Sequence, residues 1–343
     1  MKAFCISKPG CGKVIDTPDP RPQRGEVILA PILVGLCGSD LAAYQGRNPL
    51  VSYPRIPGHE IAGVIVETGE EVPPLFQIGQ IVAVVPYTNC GLCSSCRRSR
   101  PHACRQNQTL GVQRDGGMCE RLALPWQKLL PAHGISPERA ALVEPLSVGF
   151  HAVERGQIGD GETVAVFGCG LIGLGAVARA ARRGAEVIAV DLEASKLDLA
   201  RVLGAAHVID INAASLHDRL AAITQGHGPD VIIEASGAAS SYRAAVEEAS
   251  FSGRLVCIGY AKEDVLFATR LIVQKELDVL GSRNATPRDF QQALRCLQGA
   301  DFPAERLLSR VLPLAAAEEA LQTWAAAPAL TAKILIRINA MPR

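Results

Sequence analysis

The stretch TVAVFGCGLIGLG at residues 163–175 narrows most sharply what this chain can fold into. TVAVFG reads as a buried strand and LIGLGAVARAARRG as a helix ending at Gly184, with glycines at the turn between them. The alternation then repeats. EVIAV is a strand, ASKLDLARVLG a helix, HVID a strand, and a polar helical stretch starts at Ser215. The strand DVIIEAS, the helix SYRAAVEEAS, the strand GRLVCIG, a further short helix and DVLGS carry the series to about residue 285. Strands that lack polar alternation and are joined by helices specify a parallel sheet covered on both faces.

Gly168, Gly170 and Gly173 stand in GxGxxG spacing between that first strand and its helix. The first glycine permits the tight turn, the second lets a pyrophosphate approach the backbone, and the third lets helix and strand pack closely. Leu171 and Ile172 open the helix, whose N-terminal N–H groups face the phosphates. The motif alone is a weak signal. Asp191 strengthens it, ending the second strand about 20 residues after the glycines, where a carboxylate accepts hydrogen bonds from both ribose hydroxyls. Asp191 as a helix N-cap is compatible with its position but leaves the glycine spacing unexplained. A carboxylate there also repels a 2′-phosphate, which favours NAD over NADP. Lys196, within reach of such a phosphate or of the adenine edge, weakens that preference.

At 343 residues, two domains are the expected arrangement. The first 150 residues hold short β-rich pieces (EVILAPILVG, EIAGVIVETG, QIVAVVPY) broken by glycine and proline, which suggests a partly antiparallel, barrel-like domain. After residue 285 a helix, PRDFQQALRCLQG, and a strand, AKILIRI, are expected to return to that domain. The 35 basic and 34 acidic residues balance, leaving no electrostatic footprint for nucleic acid or an anionic membrane surface. MKAFCISKPG has no secretory pattern and the apolar runs are strand-length, so the expectation is a cytoplasmic protein with no membrane partner.

Eleven cysteines, an odd number with one tight cluster, do not form a secreted disulfide framework. Cys5, Cys119, Cys169, Cys257 and Cys296 sit among apolar residues and read as buried thiols. Cys90, Cys93, Cys96 and Cys104 are spaced C-x2-C-x2-C-x7-C. Four thiolates fill a tetrahedral zinc shell and leave no position for substrate, the mark of a structural site. Arg97, Arg98 and Arg100 raise a nucleic-acid reading, but no aromatic residue interleaves for base stacking, and a solvated face is the simpler account.

GHEIAGVIVETG, the four-cysteine lobe, EPLSVGFHAV and the glycine loop follow one another nearly end to end. In this order the chain resembles the zinc-dependent medium-chain dehydrogenases, above all their polyol (sorbitol-type) and sugar-acid (aldonate) branch. The resemblance implies an α/β chain with a GroES-like β-rich catalytic domain at 1–150 and a Rossmann, doubly wound parallel-sheet NAD-binding domain at 151–285. Residues 286–343 return to the first domain, and the assembly is a homo-oligomer, dimer or tetramer. Two zinc ions per chain are implied, one structural at the lobe and one catalytic.

Cys37 and His59 match the catalytic zinc ligands, Glu60 a carboxylate in or near the ligand shell, and Glu144 the glutamate that completes the site directly or through water. Asp40 matches the carboxylate that orients the ligating histidine. Ser39 matches the hydroxyl that passes the substrate proton on, and Ser236 in EASG a cofactor contact. One departure concerns CGSDLA, where Ala42 replaces the histidine that often continues the proton relay. Water, Glu60 or another group then carries the proton, and Tyr44 is an alternative pocket residue.

The implied reaction is oxidation of a secondary alcohol through a zinc alkoxide, with hydride passing to the nicotinamide. Arg47 and Asn48, with Tyr53 and Arg55, precede the zinc-ligand segment, and Arg283 and Asn284 follow the last strand of the sheet. An arginine there can bind a carboxylate bidentately, which hints at an aldonate, while contact with the cofactor or a neighbouring subunit is the other reading. The alternatives are dehydrogenases of threonine- or butanediol-type alcohols, an NADPH-linked aldehyde reductase, and a non-enzymatic zinc or dinucleotide binder.

Overall fold

The computed structural model describes residues 1–327 and 333–341, so Ala332 of the expected last strand lies outside the described residues. The chain divides into two compact units, Met1–Glu144 with Thr286–Arg343, and Pro145–Ala285. The first unit therefore ends at Glu144 and not at residue 150. The division falls inside the helix Val143–Arg155: Glu144 turns to Tyr87 of the first unit, whereas a Cβ on Gly149 would press on Ala176 of the second.

The second unit is built on six parallel strands. Across the sheet they run His207–Asp210, Glu186–Asp191, Thr163–Phe167, Val231–Glu234, Arg254–Cys257 and Asp278–Gly281. This order reverses direction beside the first strand, at Thr163–Phe167, and such a switch point opens a ligand crevice at the strand ends. The inner strands are apolar runs with buried side chains, Ala165, Ile188, Ile232 and Leu255 sharing one core, whereas the edge strand Asp278–Gly281 is largely exposed. The helices Leu171–Ala181, Ala194–Val202, Leu216–Ile223 and Ala239–Glu248 lie where the sequence pattern has them, with the Ser215 hydroxyl capping the third.

The first unit is mixed. A seven-stranded sheet runs Arg310–Pro313, Ile334–Arg337, Glu26–Gly35, Glu60–Thr68, Ile81–Val84 and Leu129–Pro131, with Leu122–Pro125 added to Glu26–Gly35. The antiparallel hairpin Lys2–Lys8 and Cys11–Asp16 accompanies it. Two strands of the sheet thus come from the C-terminal residues, and their apolar faces join a core with Phe4, Leu29, Val34, Ile61 and Val82. Cys5, Cys119 and Cys169 are buried as expected, while Cys257 and Cys296 are only partly so. Among the described residues no helix is long and apolar enough to cross a membrane.

Candidate functional site

Cys37, His59 and Glu60 offer a thiol, an imidazole and a carboxylate whose ligand atoms all lie within 4.8 Å of one another. Two neighbouring strands and two turns bring them together. Gly35 ends one strand opposite Glu60, the first residue of the next, and Cys37 follows two residues later as the N-cap of the helix Gly38–Tyr44. A Cβ on Gly35 would overlap the Glu60 carboxylate, so only glycine leaves room for that side chain to cross its partner strand.

Asp40 ties the two ligand-bearing turns to each other. Its Oδ2 accepts from the Cys37 backbone N–H at 2.8 Å and its Oδ1 from the Gly58 N–H at 3.2 Å. His59 Nδ1 lies 4.0 Å from Asp40 Oδ1, too far for a hydrogen bond. Asp40 thus acts on His59 through the preceding backbone and through charge. Burial pushes the Asp40 carboxyl up. Burial works against a charged His59, yet the neighbouring Cys37 and Asp40 carry its ring well above the usual imidazole range. Among the described residues the buried Oγ of Ser39 has no hydrogen-bond partner, and neither has His59 Nδ1.

Glu144 is buried close by, but among the described residues it does not join the three donors within the same spacing. The Tyr87 hydroxyl donates to its Oε1. Burial pushes the Glu144 carboxyl up, and burial followed by the Glu144 charge raises the Tyr87 phenol well above its usual range. Glu60 has a cation of its own: Lys333, 4% exposed, donates from Nζ to Glu60 Oε2 and to the Leu36 carbonyl at 2.9 Å. Neither Tyr87 nor Lys333 is legible as a site residue. A lysine at the head of the apolar strand Ile334–Arg337 is the one local signal, and Tyr87 lies 57 residues from its partner.

The four lobe cysteines also converge. Sγ–Sγ distances are 3.5 Å for Cys93–Cys96, 3.8 Å for Cys93–Cys104 and 3.5 Å for Cys90–Cys104. A tetrahedron with Zn–S of about 2.3 Å has edges of about 3.8 Å, so the cage fits that ion. Backbone N–H groups of Cys96 and Arg105 pull the Cys93 thiol down to about 6, and burial pushes Cys96 up to about 11. Arg97, Arg98 and Arg100 are exposed to solvent.

In the second unit Gly168 adopts φ +94, and a Cβ there would sit 2.9 Å from Ser236 Cα. A Cβ on Gly173 would overlap the Gly168 carbonyl, whereas one on Gly170 would meet none of the described residues within 4 Å, leaving that backbone approachable. Leu171 and Ile172 begin the helix as expected. The Asp191 carboxylate is held by backbone N–H groups of Cys169 at 2.6 Å, Leu192 at 2.8 Å and Glu193 at 3.0 Å, with Lys196 Nζ at 3.9 Å. Ser236 packs on the glycine turn, but its hydroxyl is engaged within its own loop, donating to Glu234 at 2.5 Å and accepting from Ala238 N at 3.1 Å. The hydroxyl thus helps to shape the turn beside the glycine loop.

The substrate candidates separate. Tyr44 is buried, its hydroxyl bonded to Gly10 O and Glu318 Oε1, each at 3.1 Å, and to Gln322, so that hydroxyl anchors the fold. Arg55 pairs with Asp115 at 2.9 Å, Tyr53 donates to Ala43 O at 2.5 Å, and Asn48 Oδ1 accepts from Leu50 N at 3.1 Å. These groups tie their loop to Asp115 and to the helix Gly38–Tyr44, where Asn48 Nδ2 also donates to Ser39 O at 3.4 Å. Arg47 is exposed, and Arg283 and Asn284 are partly buried beyond the strand Asp278–Gly281 of the second unit.

Comparison with known proteins gives this geometry a family. Residues 23–134 match the alcohol dehydrogenase GroES-like domain and residues 172–299 the zinc-binding dehydrogenase domain. L-galactonate-5-dehydrogenase of Escherichia coli K12 is 36% identical over 300 residues, covering 88% of each chain. The solved rspB alcohol dehydrogenase of E. coli CFT073, complexed with NADH, superposes with a TM-score of 0.91 at 30% identity, covering 98% of this chain and 99% of the other. A zinc-binding dehydrogenase of Sinorhizobium meliloti 1021 bound to NADP gives the same TM-score and identity, with 98% of both chains covered. The chain belongs to the zinc-dependent medium-chain dehydrogenases, with a GroES-like domain and a Rossmann-like domain, among relatives that include sorbitol dehydrogenases. It is an oxidoreductase of the alcohol dehydrogenase family, acting on CH–OH groups.

Proposed function

We propose that the protein oxidises a secondary alcohol of a polyol or sugar acid to the ketone with NAD, using a catalytic zinc at Cys37, His59 and Glu60 and a structural zinc at the cysteine lobe. The observation that carries this reading is the group of three unlike donors within 4.8 Å. A thiolate, an imidazole and a carboxylate suit zinc and leave its fourth position open, whereas the four lobe thiolates leave none. When bound, zinc would supply Lewis acidity toward an alcohol oxygen and NAD a hydride acceptor.

The chain supplies position and proton handling. Asp40 fixes the backbone of both ligand turns, and Lys333 offsets the charge of Glu60. Ser39 Oγ, buried and without a partner among the described residues, is the group ready to accept the substrate proton. With Ala42 at the next relay position, water receives that proton from Ser39. Asp191, oriented by three backbone N–H groups, accepts the adenosine ribose hydroxyls and disfavours a 2′-phosphate. Support for a sugar acid comes from the relative named L-galactonate-5-dehydrogenase, and Arg47 and Arg283 are the guanidinium groups to test for the carboxylate.

The test is NADH formation over sugar alcohols, aldonates, threonine and simple diols at mildly alkaline pH, repeated with NADP. Turnover of aldonates or polyols with NAD preferred is the expected outcome. No turnover across the panel, despite NAD binding, would sink the reading. A preference for NADP, as bound by the S. meliloti neighbour, would show that Lys196 outweighs Asp191.

A further inference from the structure

Two buried carboxylates stand near the candidate metal site, and they are held differently. Glu60 lies in the donor group, with its Oε2 on the Lys333 ammonium. Glu144 is 6% exposed and interacts electrostatically with His59 and Glu60, yet it stays outside the group. The Tyr87 hydroxyl occupies its Oε1.

Tyr87 is itself fixed on several sides. Its residue forms the two-residue strand Tyr87–Thr88 paired with Gln108–Thr109, and its carbonyl accepts from Lys128 Nζ. Its ring stands edge-on to Phe290, with centroids 6.0 Å apart and planes at 75°, and Phe290 is fully buried. A donor anchored through both backbone and ring does not follow a carboxylate that swings away, so moving Glu144 breaks a buried hydrogen bond to a charged group.

The consequence for the metal is a matter of coordination number. Cysteine, histidine and one glutamate leave a fourth position open, but a second glutamate closes the tetrahedron. We propose that Tyr87 is a positioning residue that holds Glu144 out of direct ligation and so keeps the fourth position at Cys37, His59 and Glu60 open. This rests on the metal reading of that site given above.

The experiment loads the full-length protein with Co(II) and follows the visible d–d absorption during titration with imidazole, a probe that enters open positions. The four-cysteine cage has no position for imidazole, so the difference spectrum reports the other site. Tyr87→Phe keeps the ring and its packing on Phe290 while removing the hydroxyl. In that variant Glu144 swings onto the metal, the starting spectrum changes, and imidazole affinity falls about tenfold, the order expected for one charge-assisted hydrogen bond. Adding Glu144→Gln to Tyr87→Phe restores imidazole binding. A Tyr87→Phe titration identical to wild type overturns the proposal, as does failure of Glu144→Gln to restore binding. If wild-type protein shows cobalt–thiolate bands with no imidazole response, the open metal site itself is wrong and the proposal falls with it.

Discussion

Tyr44 shows how much depends on where one hydroxyl goes. Beside the Cys37 turn in sequence it reads as a pocket residue, but its phenol is spent on Gly10, Glu318 and Gln322. Tyr44→Phe should therefore lower stability by about 1 kcal/mol, visible as a lower Tm, and leave KM unchanged. A raised KM with unchanged Tm would return Tyr44 to the substrate pocket. Cys37, His59 and Glu60 were legible because each sits in a short motif that resembles a known family. Lys333 and Tyr87 were not, because a lysine before an apolar strand and a tyrosine in a loop carry no sign of partners far along the chain. Asp40 was legible as a neighbour of the ligands, while its real partners, two backbone N–H groups, leave no trace in side-chain identity.

At the level of elements, the strands of the second unit were easy to read since burial on both faces selects continuous apolar runs, as in Val231–Glu234. The first unit was harder. Leu122–Pro125, Leu129–Pro131 and Tyr87–Thr88 are two to four residues long, and their pairing is set by distant partners and not by local periodicity. The cysteine lobe is the exception, because its ligand spacing is itself the signal. Its segments are short, Ser94–Arg97 and Pro101–Ala103, and offer little apolar surface to hold them in place. In the proposed reading, metal–thiolate bonds take over that task. Cys93→Ser should release the lobe metal and lower Tm, with folded protein keeping its turnover per open-site metal. Loss of turnover with Tm and lobe metal both intact would reverse the roles assigned to the two sites.

For the whole molecule, near-neutral charge and the order of motifs indicate a small-molecule enzyme, and the family match agrees with that. The two-unit organisation is carried by the change in texture near residue 150, from broken β-rich pieces to repeated strand–helix units. The structural division at Glu144 falls within a helix, where no change in composition marks it. The three-donor group lies wholly in the first unit and the glycine turn with Asp191 wholly in the second. The most direct measurement is zinc content and NAD reduction followed together during dialysis against a chelator. The account predicts that zinc leaves the open site first, that turnover falls in step with it and returns on adding zinc, and that the four-cysteine zinc stays bound. Turnover that persists after the open-site zinc has gone would contradict it.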